Sequence, residues 1–302
     1  MSAGADSLKS VLFALGANFL IAIAKTAGAV YTGSSSMLAE AIHSYADCAN
    51  QGLLLLGMRE GRRRPDAEHP LGHGKATYFW SFIVAIMLFS MGGLFSIYEG
   101  VHKLQSPEPL ASAWVAIVIL VFSIAAEGVS LWGCLREVNK VRGKQGLWRW
   151  FRTSRQSELL VVLAEDCAAL GGLALALAFI LIAVVTGDPV WDAAGSICIG
   201  ALLVAVAVLV GIEVKALLIG QGVEKRVLEE MRSHLSEHEE VETVYNLLTQ
   251  QLGSDVMVAV KAKMRPAQTG LALIEAINRV EQSFRAAFPQ VQWLFFEPDV
   301  RD

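Results

Sequence analysis

Six long apolar segments, at about 10–32, 36–58, 78–101, 112–134, 158–185 and 191–219, constrain this chain more than any other feature. A helix that crosses a bilayer needs roughly 20 mostly apolar residues, since each adds about 1.5 Å of rise. All six segments reach that length, and composition agrees. Of 302 residues, 54% are hydrophobic and only 18% charged, against about 25% charged in soluble domains. The sequence predicts an α-helical membrane protein with six transmembrane helices. The first segment follows Lys9 and is too long for a signal-peptide core, so it reads as a span. A net charge of -4 offers no electrostatic basis for binding nucleic acid. Cys48, Cys134, Cys167 and Cys198 lie in apolar stretches without a Cys-x-x-Cys pair, which argues against a disulfide framework or a cysteine zinc site.

The basic residues are sorted between loops. Arg59, Arg62, Arg63, Arg64 and Lys75 fall between spans two and three, and Arg136, Lys140, Arg142, Lys144, Arg149, Arg152 and Arg155 between spans four and five. The alternate loops hold only Lys103. By the positive-inside rule both termini and the two basic loops face the cytoplasm. The short loops, and the absence of an organellar presequence pattern over Met1–Lys9, suit a bacterial inner membrane.

The predicted membrane domain covers 1–221 and a soluble domain 222–302. Val223 to Glu237 reads as an amphipathic helix. Val241–Leu252 and Asp255–Met264 alternate as two strands around a turn at Gly253-Ser254. Thr269–Phe288 is helical, with Leu273, Ile277, Val280 and Phe284 on one stripe, and Val291–Phe296 is a last strand. The order αββαβ suits a small open sheet covered by two helices, close to a split βαβ (ferredoxin-like) arrangement. So small a core makes dimerisation through an exposed face an expectation.

Ionisable residues inside a bilayer cost several kcal/mol and call for a function. Span two holds Glu40, His43 and Asp47, at helical spacings that stack them on one face. Span four holds Glu127, and span five Glu165 and Asp166. An imidazole and a carboxylate on one helix, facing a carboxylate on another, supply the nitrogen and oxygen donors that zinc accepts. Metal and proton compete for such ligands, which is the physical basis of exchange. An imidazole ordinarily titrates at about 6.5, so His43 is the natural proton carrier. Ala46-Asp47-Cys48-Ala49 also echoes Glu165-Asp166-Cys167-Ala168, a weak internal similarity of the kind transporters contain. Cys48 and Cys167 point about 100° away from the neighbouring aspartates and read as packing residues. Asp66, His69 and His73 form a second candidate cluster in the loop after span two, whereas His234 and His238 read as surface residues.

Together these features resemble the cation diffusion facilitator (zinc transporter) family. The resemblance rests on six spans, His43-x-x-x-Asp47 in span two, His73-Gly74-Lys75 opening span three, and an αββαβ domain ending in Glu297-Pro298. It implies a homodimer that exchanges zinc, or manganese, iron or cobalt, for protons by alternating access, without a prosthetic group or enzymatic activity. It implies two ligands four apart on span two and two on span five. The second of the latter is Asp166, but the first falls on Val162. That departure is similar to the branch containing the mitochondrial zinc transporter nine. Three donors remain, His43, Asp47 and Asp166, with water, Glu165, Glu40 or Glu127 as the fourth. One imidazole among oxygens is a harder site, which brings manganese and iron alongside zinc. The family's loop site matches Asp66, His69 and His73 in spacing. Its soluble-domain site does not carry over, because Phe295 and Phe296 stand where a histidine is usual; that domain is expected to dimerise rather than bind metal. A non-transporting metal sensor or scaffold is the competing reading. A metalloenzyme is set aside because the chain has no His-Glu-x-x-His.

Overall fold

The computed structural model describes residues 19–106 and 113–301. Residues 10–18 of the expected first span, the residues before them and the start of the fourth segment lie outside that range. Helices α1 (Phe19–Thr32), α2 (Ser35–Gly61), α3 (Ala76–Gln105), α4 (Ala113–Val141), α5 (Leu147–Thr153), α6 (Ser157–Thr186) and α7 (Val190–Ile219) come first. They are followed by α8 (Lys225–Ser236), β1 (Val241–Leu252), β2 (Asp255–Met264), α9 (Gly270–Ala287) and β3 (Val291–Pro298). The chain divides into two compact units. One takes the described residues up to Leu56, Trp80–Leu147 and Glu158–Glu213; the other takes Gly57–Phe79, Trp148–Ser157 and the chain from Val214.

In the first unit α3, α4, α6 and α7 are apolar over a length that would cross a bilayer. Met37, Leu88, Leu120, Leu173, Ile180, Ile199 and Leu203 form its interior, while Trp114, Phe122 and Val185 are exposed on its surface. Among the described residues, four helices are long and apolar enough to cross a membrane: α3, α4, α6 and α7. The two others expected to span differ for separate reasons. The described part of α1 is short, and the 27 residues of α2 include Glu40, His43, Asp47, Arg59 and Glu60. Polarity and candidate site coincide in α2.

Glycines let α3 and α7 approach closely. A Cβ on Gly200 would lie 2.6 Å from the carbonyl oxygen of Gly93, and one on Gly93 would lie 2.6 Å from Val204 Cγ2. Small residues permit such contacts between membrane helices. Over Leu88–Leu94, α3 is wound as a π-helix, a form that often marks functional positions. The start of α2 is fastened by Ser34, whose Oγ accepts from Met37 N (3.1 Å) and donates to Oδ1 of the buried Asp192 (2.7 Å).

In the second unit, β1 and β2 pair antiparallel through the turn at Gly253 (φ +68°), the turn predicted from sequence. Strand β3 returns parallel to β2 after crossing over through α9, so the sheet order is β1-β2-β3. Alternate residues Val256, Val258, Val260 and Ala262 of β2 face Met231 and Leu235 of α8 and Val280 and Phe284 of α9. Tyr78 joins this unit, its hydroxyl accepting from Gly253 N at 2.9 Å.

Candidate metal centre

Helix α2 carries the polar face that the sequence predicts. Glu40, His43 and Asn50 are fully buried, and Asp47 is 14% exposed. His43 Nε2 lies 3.6 Å from Asp47 Oδ2, beyond hydrogen-bond reach. Both ring nitrogens of His43 and Oδ1 of Asp47 have no hydrogen-bond partner. Two helices complete the site. From α6, Glu165 Oε1 accepts from Asn50 Nδ2 at 2.6 Å, and Asp166 Oδ1 accepts from Ser130 Oγ of α4 at 3.3 Å. Asp166 Oδ2 is unpartnered. Asp47, Gln51, Glu127, Val162, Glu165 and Asp166 line one cavity of about 20 Å³, room for about one water molecule.

Four carboxyl groups around so small a space need positive charge, from a cation or from protons, to share it. Buried polar atoms are normally satisfied, so the orphaned oxygens of Asp47 and Asp166 mark an unfilled valence at this spot. Glu165 and Asp166 are adjacent in sequence and reach the cavity from different sides, one held by α2 and the other by α4.

Three placements differ from the sequence reading. His43 does not line the cavity; it stacks behind Asp47, beside the π-helical turn of α3, where a Cβ on Gly92 would come 3.6 Å from its Nδ1. His43, Asp47 and Asp166 are not drawn together to ligand spacing: among the described residues the loop trio alone brings three donor atoms within 4.8 Å. Glu40 is not at the cavity either. Its Oε2 pairs with Lys25 Nζ of α1 at 3.4 Å, and the same ammonium donates to Ser44 Oγ at 2.7 Å. Lys25 is fully buried and was not among the candidates read from sequence, although a lysine within an apolar run is itself a signal. Ser130, Asn50 and Cys134, whose thiol reaches Asp166, were missed as well.

Gly172 of α6 packs directly on Glu40 Oε1, leaving no space for a Cβ. Gly172→Ala is therefore expected to lower stability by about 1–3 kcal/mol through overpacking, read as a lower melting midpoint of the purified protein.

The loop cluster belongs to the second unit. Asp66 Oδ1 accepts from the backbone N–H groups of Glu68 (3.0 Å) and His69 (2.7 Å), closing a tight turn. Gly72 (φ +74°) donates to the His69 carbonyl and turns the chain back, so that His73 Nε2 meets Asp66 Oδ2 at 2.9 Å. An ionised carboxylate only accepts, so the imidazole is the donor. The His69 and His73 rings lie 4.2 Å apart. The hydrogen bond from His73, aided by the two backbone donors, holds the Asp66 carboxyl at about 2 instead of 3.8. A depressed carboxylate contributes stability that is present above its unfolded value and is lost as pH falls through its folded one. The Asp66–His73 pairing should hold unchanged down to about pH 4 and be lost between 3.8 and about 2. A titration of the Asp66 carboxyl carbon by NMR checks this.

Carboxylates with unpartnered oxygens thus line a small cavity among helices long and apolar enough to cross a membrane. Residues 11–219 match the model of the cation efflux transmembrane domain. The chain belongs to the cation efflux, or cation diffusion facilitator, family. It is 34% identical over 247 residues to the mitochondrial proton-coupled zinc antiporter SLC30A9 of Xenopus laevis, covering 81% of this chain and 44% of that protein. The human protein of the same name is 34% identical over 248 residues, covering 81% and 44%. Metal tolerance protein C4 of Arabidopsis thaliana is 34% identical over 254 residues, covering 82% and 54%. The chain thus spans about half the length of the curated relatives it matches.

Proposed function

We propose that this protein is a proton-coupled transporter of divalent metal cations, with zinc as its principal cargo, working by alternating access. The cavity carries the reading: Asp47 and Asp166 present unpartnered oxygens to a one-water space inside the bundle, and His43 stands one helical turn from Asp47 with both nitrogens free of hydrogen bonds. Closing His43, Asp47 and Asp166 on the ion, with Glu127 or Glu165 as the fourth donor in place of Val162, would bring one nitrogen among three oxygens. Manganese, iron and cobalt are therefore tested beside zinc. Protons arriving from the opposite side displace the ion by neutralising the same carboxylates.

In this reading α1, α2, α3, α4, α6 and α7 are six spans, and the basic loops and both termini face the cytoplasm of a bacterial inner membrane. The membrane domain covers 1–221. Residues 222–302 form a cytoplasmic ferredoxin-like domain that holds two copies together; Leu248 and Phe295, exposed on the sheet, offer the apolar surface for it. Asp66, His69 and His73 bind a second metal on the cytoplasmic side, where the ion meets the protein before entry.

Zinc uptake into proteoliposomes is the test. Wild-type protein should carry zinc above the level of empty vesicles, and Asp166→Ala should not. Equal transport by the two proteins contradicts the site. Zinc binding without flux in the wild type would favour a metal sensor.

A further inference from the structure

The ammonium of Lys25 is fully buried among the helices. A lysine in a membrane helix ordinarily extends its amine to the interface. Lys25 instead turns inward, fully buried, and donates to Ser44 Oγ at 2.7 Å. Ser44 lines the cavity and directly follows His43, so the ammonium stands behind the cavity wall. Its other partner, Glu40, lies on the same α2 face as His43 and Asp47, one turn before His43. That carboxylate is only half engaged: Oε2 is 3.4 Å from Nζ, and Oε1 has no hydrogen-bond partner.

Stability alone is a poor account of such a pair. A buried ion pair is often no better than packed apolar side chains, because desolvating both charges offsets their attraction. Its location suggests a different use.

We infer that Lys25 is a built-in counter-cation of the transport site, which occupies Glu40 and so keeps an additional α2 carboxylate away from the metal. This rests on the site proposed above. A fixed positive charge near a divalent ion weakens its binding, and withholding an anionic oxygen weakens it further. Both effects favour release, which a transporter needs as much as capture. Lys25 is thus a positioning residue: it acts through Glu40 and Ser44 and does not touch the ion.

The test measures zinc affinity and transport with the full chain, in an Asp66→Ala background that silences the loop cluster. Lys25→Met should bind zinc about tenfold tighter or more, since removing one unit charge at short range in a protein interior is worth at least that factor. KM for zinc uptake and kcat should fall together, as the ion binds well and leaves slowly. A merely structural lysine would lower kcat without lowering KM. Lys25→Met with Glu40→Gln should return affinity to near the wild-type level, because the freed carboxylate is gone. Unchanged or weaker binding by folded Lys25→Met overturns the inference, as does a double variant that binds like Lys25→Met. If Lys25→Met is not recovered folded, Lys25→Gln takes its place: it keeps a donor for Ser44 and loses the charge, so wild-type affinity in it contradicts the inference. Asp47→Ala in the same background separates this from the parent reading. If that variant binds zinc like wild type, the site itself is misplaced; if it does not and Lys25→Met is inert, only the role of Lys25 falls.

Discussion

Val162→His is expected to tighten zinc binding at the membrane site by at least about tenfold and to slow transport at saturating zinc. Val162 lines the cavity with Asp47 and Asp166, so an imidazole there enters the space the ion would occupy. It replaces an apolar wall with a borderline-soft nitrogen, which favours zinc over manganese because manganese prefers oxygen donors. Competition of zinc and manganese for the purified variant measures the selectivity, and vesicle uptake measures the slower release. An unchanged preference in a folded variant would mean that the ion binds away from this wall.

The second large effect is at Asp47. Asp47→Ala should reduce metal flux on the order of 100-fold, to the level of empty vesicles, because it removes from the cavity an anionic oxygen with no other partner, one helical turn from His43. The exposed fraction of Asp47 is small, and Oδ1 has no hydrogen-bond partner to lose. The folded yield should therefore stay near wild type, so that lost transport is read as lost binding. Uptake with size-exclusion profiles of both proteins distinguishes the two.

Much of the C-terminal sheet domain was legible because its signals are local. The alternation of Val256, Val258, Val260 and Ala262 is a period of two, and the turn at Gly253 follows from a residue free to take φ +68°. The stripe Leu273, Ile277, Val280 and Phe284 packs on the core as its 3.6-residue period demands. Within the membrane part, His43 and Asp47 were readable as a pair because a spacing of four stacks them on one face. What sequence could not supply is the register between helices. Asn50 meeting Glu165, Ser130 meeting Asp166 and Lys25 meeting Glu40 each join side chains from separate helices, and no periodicity within one helix encodes them. Glu40 accordingly read as a possible fourth ligand or a residue just behind the ligands, and the ammonium beside it had no trace in the spacing of α2. The π-helical turn at Leu88–Leu94 left only the Gly92-Gly93 pair as a trace, and that pair reads equally as close helix packing.

Exchange of a divalent metal for protons is proposed here to run through the cavity between α2, α4 and α6. The most direct measurement follows zinc and internal pH together in one population of proteoliposomes, with wild-type protein and an imposed pH gradient. Zinc entry should accelerate when the vesicle interior is acidic, and that interior should become more alkaline as protons leave. Zinc entry at a rate indifferent to the gradient, with no accompanying change of internal pH, would contradict it.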